Sequence, residues 1–121
     1  MGVDVVGLQP ANQGGEYFHA TYHGWCLLWP YTVKVCPDIL TLRDGEEPIS
    51  RAKAIAIGER LANLVRAGNT LADAEAHSLG YIADKFTSMY DEREGFRPES
   101  FVDGVREFAQ FCITSGGFEI L

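Results

Sequence analysis

A chain of 121 residues is the length of a single domain, because two separate cores of this total size would bury too little apolar surface to be stable. Its formal net charge of −7 repels phosphate backbones, which disfavours direct binding to nucleic acid and favours solubility or a partner with a basic groove. Three cysteines without a repeated spacing argue against a disulfide framework and for the cytoplasm, and no apolar stretch approaches the length of a membrane span.

The first part of the chain predicts a strand, an aromatic segment and a short helix. Residues 2–8 are rich in β-branched valine and predict a strand. The aromatic stretch 16–23 fits a second short strand or an ordered loop. The stretch 25–36 is ambiguous, because Pro30 can open a helix at its first turn whereas the valines and threonine favour a strand. Of the two, we favour a short helix over 31–36.

The remainder predicts three amphipathic helices and a last strand. Apolar residues recur at helical spacing over 51–67, 71–90 and 101–114, and the chain then ends in a short strand at 118–121. If this strand pairs with the first one, at 2–8, both termini are ordered in one small antiparallel sheet. The predicted fold is therefore α+β, as a single domain with the helices packed on that sheet. A residue that can cap the helix precedes each helix: Ser50, Thr70 and Ser100.

Metal binding has one weak set of candidates. Zinc accepts two histidines and two cysteines in a tetrahedron, and the sequence His-x3-His-x2-Cys-x9-Cys supplies these types. The spacing matches no common zinc module, so we favour surface histidines and core thiols and predict no metal and no cofactor. The four residues are His19, His23, Cys26 and Cys36.

Catalytic signatures are absent from the sequence. No nucleophile elbow surrounds any serine, and neither phosphate-binding and dinucleotide-binding loops nor the zinc-deaminase signature occurs. A hydrolase site would have to assemble from residues brought together by pairing of the first two strands: Asp4, Glu16 and either His19 or His23.

The aromatic residues between 17 and 31 are the most informative feature of the sequence. Six of them with intervening leucines exceed what one short element can turn inward. We expect about half to pack on the helices and the others to be exposed, where tyrosine and tryptophan commonly anchor protein interfaces. The candidate anchors are Tyr17, Phe18, Tyr22, Trp25, Trp29 and Tyr31.

Two acidic loops can form a rim around such a surface. Carboxylates at the edge of an interface steer a partner of opposite charge, although solvated loop charges are the more common role. The candidates in the two loops are Asp44, Glu46, Glu47, Asp91, Glu92 and Glu94.

The opening residues 1–10, the Gly-Glu-Tyr-Phe at 15–18, the tryptophan-containing stretch and the closing 106–111 and 115–120 resemble a family of small proteins found in phages, prophages and mobile elements. Residues 51–97 resemble it only in being helical. The resemblance implies a genomic setting and no catalytic residues. Small acidic phage proteins often bind and block a host protein, as anti-CRISPR and other counter-defence inhibitors do.

Three functions remain open at this point. The leading hypothesis is a non-catalytic phage or mobile-element accessory protein that inhibits a host protein, such as a defence protein with a basic nucleic-acid-binding groove. The alternative is a protein that sequesters a small molecule or nucleotide, with aromatic rings on the base and Arg51, Lys53 or Arg97 on the phosphate. The weakest is a small hydrolase that uses His19 or His23.

Overall fold

The computed structural model describes residues 2–76 and 97–121. In these ranges the chain forms the predicted α+β fold, with helices packed on a small antiparallel sheet that includes strands from both termini. The described ranges contain four helices, one more than the three amphipathic helices predicted. The elements are β1 (Gly2–Gly7), β2 (Tyr17–Thr21), α1 (Tyr22–Val35), α2 (Arg51–Arg66), α3 (Asn69–Glu75), α4 (Pro98–Thr114) and β3 (Phe118–Ile120).

The sheet has β1 at its centre, with β2 on one side and β3 on the other, both antiparallel to it. Val5 of β1 lies opposite Phe18 of β2 and Ile120 of β3. Side chains alternate along a strand, so these three residues share the inner face. The predicted pairing of the first and last strands is confirmed by this register.

The core lies between the inner face of the sheet and α4. Phe108 of α4 packs against Phe18 at a ring distance of 5.1 Å and against Phe118 at 5.8 Å. Helix α2 crosses α4 closely at Gly58, where an added Cβ would lie 2.7 Å from the carbonyl oxygen of Ala109. The most enclosed layer of the domain is therefore built on α4, which buries Val102, Val105, Phe108, Ala109, Phe111 and Cys112.

Helix α1 begins much earlier than predicted. Thr21 caps it by accepting a hydrogen bond from the amide of Gly24 at 3.0 Å, and Pro30 lies inside the helix. The choice of helix over strand is confirmed, but the predicted start at Pro30 is wrong. Proline removes one backbone hydrogen bond from a helix interior. Burial of the side chains around it, from Leu27 to Thr32, outweighs that loss.

The predicted caps have different outcomes. Ser50 does cap α2, where its hydroxyl accepts from the amide of Lys53 at 3.3 Å. The predictions for Thr70 and Ser100 are wrong. Thr70 lies buried inside α3, and α4 begins at Pro98, two residues before Ser100.

Thr70 and Ser100 were predicted to precede two helices, and the structure describes these helices to different extents. Helix α4 ends at Thr114, where the third predicted helix was to end. Most of the helix predicted over 71–90 lies outside the described residues. In the described ranges no helix is both long and apolar enough to cross a membrane.

Candidate protein-binding surface

The face of the sheet opposite the core carries several exposed side chains. Asp4 and Val6 alternate with the fully buried Val5 and therefore point away from the core. The register places Asp4 opposite His19, and Val6 opposite both Tyr17 and Glu119. We call this surface the outer sheet face: Asp4, Val6, Leu8, Tyr17, His19, Glu119 and Leu121.

Two leucines extend this face beyond the strand ends. The amide of Leu8 donates to Gly117 O at 2.9 Å, and that of Leu121 donates to Asp4 O at 2.8 Å. Both bonds continue the ladder of β1 with β3, so the side-chain alternation continues as well.

The large apolar side chains that are exposed in the described ranges concentrate here. Leu8, Tyr17 and Leu121 are 47%, 54% and 71% exposed, and the fourth, Tyr22, is 58% exposed at the start of α1. Apolar side chains grouped on one face, unlike scattered ones, are typical of an interaction site.

A hydrogen-bonded cluster lies at the centre of the outer sheet face. The Tyr17 hydroxyl donates to Asp4 Oδ1, and His19 Nδ1 lies 2.8 Å from the same oxygen. The Tyr17 hydroxyl, and after it the His19 imidazole, hold the pKa of the Asp4 carboxyl below its ordinary value. In turn the Asp4 carboxylate raises the pKa of Tyr17. The cluster thus keeps Asp4 ionised and fixes the orientation of the Tyr17 ring.

This cluster brings together part of the group considered for a hydrolase. Asp4 and His19 meet, as pairing of the first strands requires, whereas Glu16 and His23 are not in the hydrogen-bonded cluster. In the described ranges no serine, threonine or cysteine side chain is hydrogen-bonded to this histidine. The cluster therefore contains a carboxylate-oriented imidazole without a neighbouring nucleophile.

The outer sheet face carries carboxylates but no lysine or arginine. All three strands come from residues 1–33 and 107–121, and neither range contains lysine or arginine. Asp4 and Glu119 lie on the face, and Glu16 is exposed directly before β2. The local electrostatic potential is therefore negative, which is the same sign as the net charge of the whole chain.

The structure divides the six aromatic candidates into three pairs. Tyr17 and Tyr22 are exposed, Phe18 and Trp25 pack half-buried on the core, and Trp29 and Tyr31 are buried. The Trp25 and Trp29 rings stack at 5.5 Å with an angle of 9° between their planes. Trp29 and Tyr31 are no longer candidate anchors, because neither offers surface to a partner.

The first acidic loop is partly engaged in local structure. Asp44 accepts hydrogen bonds from the Thr41 amide at 2.6 Å and from Lys53 Nζ at 3.3 Å. The Thr41 amide is the main reason why the pKa of Asp44 is lowered. Glu46 and Glu47 are exposed. The candidates in the second loop lie outside the described residues: Asp91, Glu92 and Glu94.

The four metal candidates do not converge. Within 2–76 and 97–121, no group of three or more His, Cys, Asp and Glu side chains could hold a metal ion. Burial raises the pKa of the Cys36 thiol to about 11, which disfavours the thiolate that zinc binds. His19 is hydrogen-bonded to Asp4, while Cys26 is half-buried and His23 exposed on α1.

The basic residues considered for a nucleotide are also separated. Lys53 binds Asp44 near the start of α2, where Arg51 is exposed. Arg97 precedes α4 and lines a cavity whose described walls include neither of the other two. Of these three alternative phosphate contacts, Arg97 is therefore the one that lines the cavity.

Comparison with protein-family models, with curated proteins and with solved structures gives no match to this chain.

Part of this surface was missed in the sequence. Leu8, Glu119 and Leu121 were not candidates, because they lie at strand ends without an aromatic or charged cluster around them. Two signals point to them: the alternation around Val5, and the absence of lysine and arginine from both terminal segments.

Proposed function

We propose that this protein is a non-catalytic accessory protein of a phage or mobile element that binds and inhibits a host protein, of the anti-CRISPR or other counter-defence type. The observation that carries the proposal is the outer sheet face. It combines exposed apolar side chains with carboxylates and has no lysine or arginine. The partner is a host protein with a basic, nucleic-acid-binding surface.

The chemistry of the face fits such a partner in two ways. Tyr17 is a rigid side chain with both apolar and polar surface, which is the type that often dominates binding energy. Leu8 and Leu121 add apolar area on either side. Asp4 and Glu119 can accept charge-assisted hydrogen bonds from lysine or arginine of the partner. Affinity should therefore fall as salt increases, because exposed charge pairs are screened.

Inhibition follows from occupation of the same surface. A groove that binds phosphate backbones attracts other anionic surfaces by the same long-range field. A carboxylate-bearing face docked there excludes the nucleic acid without any chemical step. The resemblance of both terminal segments to phage and mobile-element proteins supports this setting.

The test is capture from nuclease-treated host lysate by four forms of the protein. Tyr17→Ala removes the ring, and Glu119→Lys reverses a charge on the face. Glu59→Lys is the matched control, since it makes the same change at an exposed position of α2. Trp29→Ala is unsuitable, because Trp29 is buried and its loss would open the core.

The expected result is one nucleic-acid-binding protein retained by the wild type and by Glu59→Lys but lost with the two face variants. The wild type should then displace nucleic acid from the purified partner in a mobility-shift titration, and Glu119→Lys should not. Equal capture by Glu119→Lys and Glu59→Lys, or capture without displacement, contradicts the proposal.

A further inference from the structure

A cavity of about 410 Å³ lies between the start of α1, strand β2 and the first half of α4. This volume is in the range of small-molecule sites, which run from about 300 to 1,000 Å³. The cavity shares only His19 with the outer sheet face, so it is a second, separate feature. Phe18, Leu27, Leu28 and Phe101 form its apolar walls.

Helix α4 forms one wall of the cavity, and a glycine in this wall leaves the cavity open. Ser100, Phe101, Gly104 and Glu107 line it at the spacing of one helix face. A Cβ added to Gly104 would meet no atom of the described residues within 4 Å, apart from the helix's own backbone and its chain neighbours. Neither close packing nor an unusual backbone angle therefore requires glycine at this position.

Gly58, in the middle of α2, has a different environment from Gly104. Gly58 has a clear packing role, since its added Cβ would lie 2.7 Å from atoms of α4. A glycine without such a role lowers helix stability relative to alanine. What Gly104 does provide is open space in the cavity wall, which a larger side chain would fill.

The charges along this wall are polarised. Arg97 stands before the first turn of α4 and is the one lysine or arginine among the described lining residues. Glu107 is the one carboxylate among them, and it lies about 10 Å along the helix from Ser100 at a rise of about 1.5 Å per residue. The Arg97 end therefore suits an anionic group, while the aromatic and leucine walls suit a flat apolar body.

We propose that this cavity is a binding site for a small amphipathic anion: one phosphate or carboxylate group at the Arg97 end, attached to a flat apolar body that lies over Gly104 between the phenylalanine rings. The site overlaps the proposed host-protein interface only at His19. Binding involves no chemical step.

The experiment is a titration of the full chain with phenyl phosphate, followed by the backbone amide signals of Gly104 and Phe101 in nuclear magnetic resonance spectra. Saturable shifts of both signals are expected. Benzoate distinguishes a carboxylate from a phosphate group, and inorganic phosphate and phenol each supply one half of the ligand. Both halves should bind more weakly than phenyl phosphate.

Variants locate the site. Arg97→Gln should weaken binding about tenfold, the effect of one lost charge-assisted hydrogen bond. Arg106→Gln on the same helix is the matched control, since Arg106 is exposed, bonds Asp103 and does not line the cavity. Glu107→Gln should strengthen binding about twofold, because a screened repulsion is removed.

The decisive pair is at Gly104. Gly104→Leu should abolish binding by filling the cavity, whereas Gly104→Ala should keep it within about twofold and confirm that the helix tolerates a side chain there. Undiminished binding by Gly104→Leu, equal effects of Arg97→Gln and Arg106→Gln, or phenol binding as tightly as phenyl phosphate would each overturn the proposal. Because these measurements need no protein partner, they succeed or fail separately from the capture experiment.

Discussion

Tyr31→Phe removes one hydroxyl from the centre of the fold. Tyr31 is fully buried on α1, and its hydroxyl lies 3.0 Å from Thr70 Oγ1 of α3, which is fully buried as well. The same hydroxyl donates a longer hydrogen bond to Asp73 Oδ2 of α3, at 3.4 Å. Phenylalanine keeps the ring and its packing on Phe101, so the change isolates the hydrogen bonds that this hydroxyl makes to α3.

The expected cost follows from the hydroxyl left behind. A buried polar group that loses its partner destabilises a protein by about 1–3 kcal/mol. For 121 residues the unfolding entropy is about 250 cal/mol/K, so each kcal/mol corresponds to about 4 °C in melting temperature. Tyr31→Phe should therefore lower Tm by about 4–12 °C.

A double-mutant cycle measured by thermal and denaturant unfolding tests this reasoning. Thr70→Val removes the orphaned hydroxyl, so the double variant should be more stable than the sum of the two single changes by at least about 1 kcal/mol. Tyr22→Phe, at an exposed hydroxyl, is the control and should change stability by less than about 0.5 kcal/mol. Additive single effects, or equal effects of Tyr31→Phe and Tyr22→Phe, would refute the reasoning.

Three further predictions concern stability. Gly58→Ala should destabilise by about 1–3 kcal/mol through overpacking against α4, whereas Gly104→Ala should stabilise by about 1 kcal/mol, as read from denaturant midpoints. Burial raises the pKa of Tyr31 to about 12, so stability should fall by up to about 3 kcal/mol as the pH rises from about 10 through 12; this loss should be absent in Tyr31→Phe. The pKa of the Asp44 carboxyl is lowered, so its ionised form stabilises the fold. At neutral pH the free energy of unfolding of the wild type should therefore exceed that of Asp44→Asn by about 1 kcal/mol. This difference should vanish as the pH falls below about 4 through that lowered pKa.

Periodicity and chain ends made much of the fold predictable. The valine-rich start and the short apolar end indicated two strands that close one sheet, and this is how β1 and β3 pair. The start of α2 at Ser50 was predictable because a local side-chain bond decides it. Thr70 failed as a cap because a residue distant in sequence, Tyr31, binds its hydroxyl. Such a tertiary contact leaves no local signal.

The candidate surface was less predictable because its aromatic run spans two elements. From the sequence, residues 17–31 are expected to hold more aromatic rings than one short element can bury. In the structure β2 ends at Thr21 and α1 starts at once, so the spacing changes from two to about four residues per repeat. Trp25 and Trp29 then stack one turn apart. Only Tyr17 and Tyr22, at the two element starts, remain exposed.

The lack of lysine and arginine in the strands has a practical consequence for labelling and digestion. Amine-reactive reagents that modify lysine side chains cannot attach to the outer sheet face, so dyes or resins coupled through lysine leave it accessible. Conversely, lysine-directed cross-linkers will not report contacts made there, and carboxylate-directed ones are needed. Trypsin first meets a basic residue at Lys34, inside α1, so β1 and β2 stay on one peptide, and any modification of Asp4, Tyr17 or His19 appears on that peptide.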